Sequence, residues 1–146
     1  MDVPNPNDQE VLKFAQDTML TTTSDDENAQ AWTPAGDHHQ SSTIEGDWSC
    51  RWNGGADPTI PGDAADKWKQ GQGEVRTAND RVYLLFDWDN GARRGLIDAQ
   101  REGATRLVGK YINLTDPKIT RPWIGSIVSH HRIDGRWPLG RLDFRR

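Results

Sequence analysis

A chain of 146 residues with 34% apolar residues, a mean hydropathy of −0.87 and a net charge of −4 is long enough for one domain but low in core-forming side chains. Its single cysteine, Cys50, excludes an intrachain disulfide, and no stretch approaches the roughly 20 apolar residues of a membrane helix, so no membrane association is expected. Charge is unevenly spread: residues 1–66 hold 13 acidic and 2 basic side chains, net −11, and residues 67–146 hold 9 and 16, net +7.

The two halves balance one another. No nucleic-acid motif accompanies the basic half, so nucleic acid is not an expected partner. The opening "MDVPNPNDQE" has neither a basic segment nor an apolar run. A secretory signal is therefore not expected, and the cytoplasm is the expected compartment. Residues 1–45 read as an acidic, polar arm. Within it "NDQEVLKFAQDTML" predicts one short helix over about 8–20, with Asp8 as N-cap and Val11, Phe14, Ala15 and Met19 at helical spacing. The following "TTTSDDENAQ" and "GDHHQSST" are polar and unpatterned.

From Gly46 to Arg146 the pattern changes to period two, and residues 46–146 form the predicted barrel domain. Eight strands are expected: "GDWSCRWN", "KQGQGEVRTA", "RVYLLFDW", "RRGLIDAQ", "TRLVGKYINL", "WIGSIVSHH", "RIDGRWP" and "GRLDFRR". Most are joined by tight turns such as "DNGA", and two by longer loops, "GGADPTIPGDAADKW" and "TDPKITRP". Such a meander predicts an all-β, eight-stranded, antiparallel up-and-down barrel, because closure removes the exposed sheet edges. An eight-stranded barrel is either filled by side chains or hollow enough for one small ligand.

"GDW" at Gly46–Trp48, opening the first strand, resembles the Gly-x-Trp signature of calycins, the lipocalin and avidin-like barrels. The resemblance implies that Trp48 closes one barrel end against a basic residue of the last strand, where Arg141, Arg145 and Arg146 are available. The chain departs from lipocalins in lacking their disulfide, their secretion signal and a clear C-terminal helix.

Trp48, Cys50 and Trp52 share one face of the first strand, and Val82, Leu84, Phe86 and Trp88 share one face of the third. In the sixth strand Trp123, Gly125, Ile127 and His131 share a register, with Ile124 and Val128 competing for the interior. Gly95, Gly109, Gly125 and Gly135 inside strands point to curvature or close approach, and leave space. Arg141, Asp143 and Arg145 oppose Leu142 and Phe144, which reads as a solvated outer face with ion pairs to Asp98, Glu102 and Asp134. Cys50 is expected to be buried and inert. Neighbouring histidines cannot easily share one ion, so neither His38–His39 beside Asp37 nor His130–His131 is taken as a metal site.

These residues lead to a barrel that binds a small hydrophobic or aromatic molecule in a tryptophan-rich interior, lined by Trp48, Trp52, Phe86, Trp88, Tyr111 and Trp123. No cofactor is implied. Two other classes remain open. One is a cofactor-free lyase, isomerase or cyclase, with His131, Tyr111 and Glu74 as acid/base candidates. The other is a filled barrel whose arginine-rich outside engages an acidic partner or a second copy of itself, a homodimer.

Overall fold

The computed structural model describes residues 7–18, 43–55, 62, 64 and 66–146. Helix α1 spans Asn7–Asp17. It is followed by β1 (Gly46–Trp52), β2 (Lys69–Ala78), β3 (Arg81–Trp88), β4 (Arg93–Glu102), β5 (Arg106–Asn113), β6 (Thr120–Ser129), β7 (Arg132–Trp137) and β8 (Gly140–Arg145). Each strand pairs antiparallel with the next, and β1 also pairs with β8, so the sheet closes into a barrel. The expected all-β up-and-down barrel with one short N-terminal helix is the observed architecture.

Period-two alternation sets the inside and outside. In β3 Val82, Leu84, Phe86 and Trp88 are buried, while Arg81, Tyr83, Leu85 and Asp87 are half-buried. The β2–β3 and β3–β4 turns use Asn79, Asp89 and Asn90 at φ of 54–55°, a conformation that Asn and Asp tolerate better than other side chains.

Strand β6 differs from its sequence reading at both ends. It begins at Thr120 and includes Pro122, which lies opposite Lys110. The proline is tolerated because β7 does not pair with β6 until Ile124. At its far end the ladder shifts register between Ile127 and Ser129. His130 and His131 therefore form an exposed turn and do not extend the strand.

The competition between Ile124 and Trp123 for the interior has a physical explanation. Helix α1 lies across the outside of β5 and β6, burying Val11 and Ala15 against Val108 and Ile124. Arg106 Nη2 donates to the Ala15 carbonyl at 2.9 Å, fixing the helix C-terminal turn. Both faces of β6 are thus apolar. Trp123 and Ile127 belong to the interior, with Gly125 between them on the same face.

The end of the barrel where β1 starts is closed. Trp48 is fully buried, and its indole N–H donates to the Ile44 carbonyl at 2.8 Å. The Arg146 guanidinium stacks over the indole at 4.5 Å from the ring centroid. It also donates to the carbonyls of Glu45 (2.7 Å), His130 (2.6 Å) and Thr43. Of the three arginines available, Arg146 is the one that caps Trp48. Below this plug Trp123, Phe144, Leu84, Ile97, Leu107 and Ile133 fill the lower half.

The outer face of β7 and β8 is a correction to the sequence reading. Asp134 and Asp143 point away from the barrel core, yet both are buried. Arg132 and Arg145 reach Asp134 at 2.9 and 2.8 Å, and Arg141 reaches Asp143 at 3.0 Å. Beside them, Trp68 of the β1–β2 loop stacks on Arg51 at 4.1 Å. Ion pairs also join Arg81 to Asp98 and Arg106 to Glu102. No helix among the described residues is long and apolar enough to cross a membrane.

Candidate functional site: an aromatic cavity at the open end of the barrel

Strands β1, β3 and β7 end at the same rim, and β5 reaches it before its loop. Their last inward-facing positions carry Trp52, Phe86 with Trp88, Tyr111 and Trp137. The five rings contact one another in a closed circuit. Trp52 meets Trp88 edge-on at 5.4 Å, and Trp88 stacks on Phe86 at 5.7 Å. Phe86 meets Tyr111 at 5.8 Å, Tyr111 meets Trp137 at 5.8 Å, and Trp137 returns to Trp52 at 6.0 Å. Edge-on and offset contacts at these separations are the favourable geometries for aromatic pairs.

The circuit lines a cavity of about 350 Å³ that opens to solvent at the rim. Leu142 adds an aliphatic wall, and Ile119 and Leu139 stand at the mouth with substantial exposure. Phe144 meets Phe86 edge-on at 6.0 Å on the side of the packed core. Gly95 of β4 provides space for two of the rings: a β-carbon there would lie 2.5 Å from Phe86 Cζ and 2.8 Å from Tyr111 Cε1.

Beyond the aromatic circuit, the polar side chains that line the cavity are Asn113, Thr115 and Asp116 at the β5–β6 loop and Arg93. Asn113 Oδ1 accepts from the backbone N–H groups of Thr115 and Asp116 at 2.9 and 3.1 Å. Thr115 Oγ1 accepts from Arg94 N at 3.2 Å, and Asp116 Oδ1 from Lys118 N at 3.4 Å. These acceptors shape the β5–β6 loop. Arg93 also lines the cavity, with Asp89 Oδ2 at 3.6 Å from its Nε. The Lys69 ammonium lies 4.8 Å from the Trp52 ring and donates to the carbonyls of Gly55 and Ala64. The Trp137 indole N–H donates to Asn53 O at 2.8 Å. The buried indole N–H of Trp52 has no hydrogen-bond partner among the described residues. Burial pushes the Tyr111 phenol well above its ordinary pKa, the Arg121 charge opposing only in part. Tyr111 is therefore neutral and keeps its proton at physiological pH.

Four of the six candidate lining residues, Trp52, Phe86, Trp88 and Tyr111, come together here. Trp48 and Trp123 do not line the cavity. Trp48 plugs the opposite end, and Trp123 is packed within the core, donating to Leu142 O at 3.3 Å. Of the acid/base candidates, Tyr111 alone lines the cavity. His131 sits exposed in the β6–β7 turn at the closed end. Glu74 lies on the outside of β2, paired with Arg76 at 2.6 Å. The six candidates did not include Trp137, Arg93, Leu142 or the two mouth residues. Trp137 was within reach of sequence reasoning, since it shares a period-two face with Ile133. Arg93 was within reach in the same way, since it shares a period-two face of β4 with Gly95, Ile97 and Ala99.

Cys50 is buried in the core, and burial raises its thiol well above the ordinary value, with the charges of Asp143 and Asp87 adding to the effect. It is not a nucleophile in the folded protein. No group of three or more metal-ligating side chains occurs among the described residues, and Asp37, His38 and His39 lie outside them. No family model, no curated protein and no solved structure matches the chain.

Proposed function

We propose that the protein is a calycin-like barrel that binds a small hydrophobic or aromatic molecule in the cavity at its open end. The observation that carries this reading is the closed circuit of five aromatic side chains around a space of about 350 Å³. That volume lies within the range of small-molecule pockets, about 300–1,000 Å³. Aromatic walls with few polar groups favour burial of apolar ligand surface, at about 25 cal/mol per Å². The stack of Trp48 beneath Arg146 supports the calycin-like part of the reading.

The enzyme reading has less support. Its three acid/base candidates are dispersed, and the one in the cavity, Tyr111, holds its proton too tightly to act as a base near neutral pH. The interaction-module reading has less support at β7 and β8, where Arg132, Arg141 and Arg145 are engaged with Asp134 and Asp143.

Three of the seven tryptophans border the cavity, so occupancy reports on intrinsic fluorescence. Titration with neutral bicyclic aromatics is expected to give saturable quenching and a matching rise in melting temperature. Flat responses across such a panel in both measurements would overturn the proposal.

A further inference from the structure

We infer that the ligand is an uncharged aromatic molecule carrying a hydrogen-bond acceptor, its ring held within the circuit of Trp52, Trp88, Phe86, Tyr111 and Trp137 and its acceptor atom directed at the Tyr111 hydroxyl. This rests on the small-molecule reading above and adds the charge and the hydrogen-bonding sense of the molecule.

The cavity divides by depth. Its mouth carries groups of both signs and both hydrogen-bonding senses: the Asp116 carboxylate, the Arg93 guanidinium, the Asn113 amide and the Thr115 hydroxyl. These groups also serve the structure. Asn113 Oδ1 accepts from two backbone N–H groups, Thr115 Oγ1 from Arg94 N, and Asp116 Oδ1 from Lys118 N. Arg93 has Asp89 at 3.6 Å and a further interaction besides. The Lys69 ammonium beside Trp52 is held by two carbonyls. Such a mixed rim prefers neither an anion nor a cation.

The inner wall is different. Trp52, Phe86, Trp88, Tyr111, Trp137 and Leu142 include no charged side chain, and the raised pKa of Tyr111 keeps its phenol protonated. A ligand charge placed among them would lose water and meet no counter-ion. The wall does hold hydrogen-bond donors. The Trp137 N–H is spent on Asn53 O, whereas the buried Trp52 N–H has no partner among the described residues. Tyr111 is the better placed of the donors. It points inward with 7% of its surface exposed, and its ring is fixed between Phe86 and Trp137 at 5.8 Å from each. No hydrogen bond engages its hydroxyl among the described residues. An apolar ligand would seal that hydroxyl from water and leave it unpaired. A ligand donor could use the phenol oxygen but would leave the phenol proton without an acceptor. A ligand acceptor satisfies it.

Five bicyclic probes of similar size separate these outcomes by calorimetry at neutral pH. Quinoline is uncharged and carries an acceptor nitrogen, naphthalene has neither donor nor acceptor, and indole carries a donor. N-methylquinolinium and 2-naphthoate are charged counterparts. Quinoline is expected to bind about fivefold more tightly than naphthalene, with indole and both ions weaker than quinoline. Tyr111→Phe keeps the ring and removes the hydroxyl. It should bring quinoline to the affinity of naphthalene and leave naphthalene nearly unchanged, with the melting temperature as the control for folding. Binding of quinoline no tighter than naphthalene, tightest binding of indole or of either ion, or a quinoline advantage that survives Tyr111→Phe overturns the inference and leaves the small-molecule reading standing. Failure of all five to bind overturns both.

Discussion

A β-carbon placed on Gly125 would lie 2.2 Å from Trp123 Cη2, and one on Gly135 would lie 2.4 Å from Trp123 Nε1 and 2.2 Å from Leu142 O. The indole is laid flat against β6 and β7, and the missing side chains on both strands are what let it lie there. The contact is with a fully buried ring and with backbone, so neither neighbour can swing away. Gly125→Ala and Gly135→Ala are each expected to cost about 1–3 kcal/mol in urea unfolding at neutral pH. A loss well below that range would mean that Trp123 can repack. The same residues show how far single positions could be read from the sequence. Strand-interior glycines signalled close approach, and close approach is what Gly125 and Gly135 provide, but the space they leave is filled by Trp123 and does not add to the cavity. Gly95 serves Phe86 and Tyr111 in the same way. A glycine announces room without naming its occupant, because that occupant is distant in sequence.

At the scale of elements, alternation was legible wherever one face meets water and failed where both faces are covered. β3 alternates cleanly and was placed without ambiguity. β6 did not, because α1 buries its outer face at Ile124, and β8 misled because the outward Asp143 and Arg145 are buried as well. The β7–β8 cluster predicts a specific pH behaviour. Burial alone would raise the Asp134 pKa, but the hydrogen bond from Arg132 and the charges of Arg145, Arg132 and Arg141 outweigh it and hold it below the usual carboxylate value. Its stabilising contribution is present above the unfolded value of about 3.9 and is lost as pH falls through the lower folded value. Asp143 is the reverse case: burial dominates over Arg141 and the Gly135 N–H and raises its pKa. Its ionised form costs stability above the folded value, and that cost fades as pH falls toward the unfolded value. Asp134→Asn should therefore destabilise by about 3 kcal/mol at pH 7, with the gap from the parent protein narrowing below pH 4. Asp143→Asn keeps an acceptor for the Gly135 N–H, which Asp143 Oδ1 now binds at 2.8 Å, and should cost about 1 kcal/mol or less. Urea unfolding of both variants at pH 7 and pH 3 checks the contrast, and equal losses at pH 7 would contradict it.

The whole molecule is a barrel with two unlike ends. One is plugged by Trp48 beneath Arg146, and the other is open within an aromatic circuit that includes Trp52. Both indoles come from one face of β1, four residues apart, and the local sequence treats them alike. What separates them is supplied from far along the chain. Arg146 and the fully buried core reach Trp48, whereas Trp88 and Trp137 meet Trp52 at a rim with space beside it. The number and direction of strands were therefore legible, and the division of the interior into a filled and a hollow half was not. That division predicts opposite consequences for the same change. Trp48→Leu removes a fully buried ring, its bond to Ile44 and the seat of Arg146. It should cost about 3 kcal/mol of stability while changing the affinity for an aromatic ligand by less than about twofold. Trp52→Leu removes a half-buried ring whose N–H has no partner among the described residues, so its loss relieves an unsatisfied donor and offsets part of the lost packing. It should cost about 1 kcal/mol of stability and weaken ligand affinity about tenfold, because one wall of the circuit is gone. Unfolding and calorimetric titration of the two variants in parallel test the asymmetry directly. If both changes reduced stability and affinity together, the interior would behave as one continuous core, and the open end would not be an independent binding site.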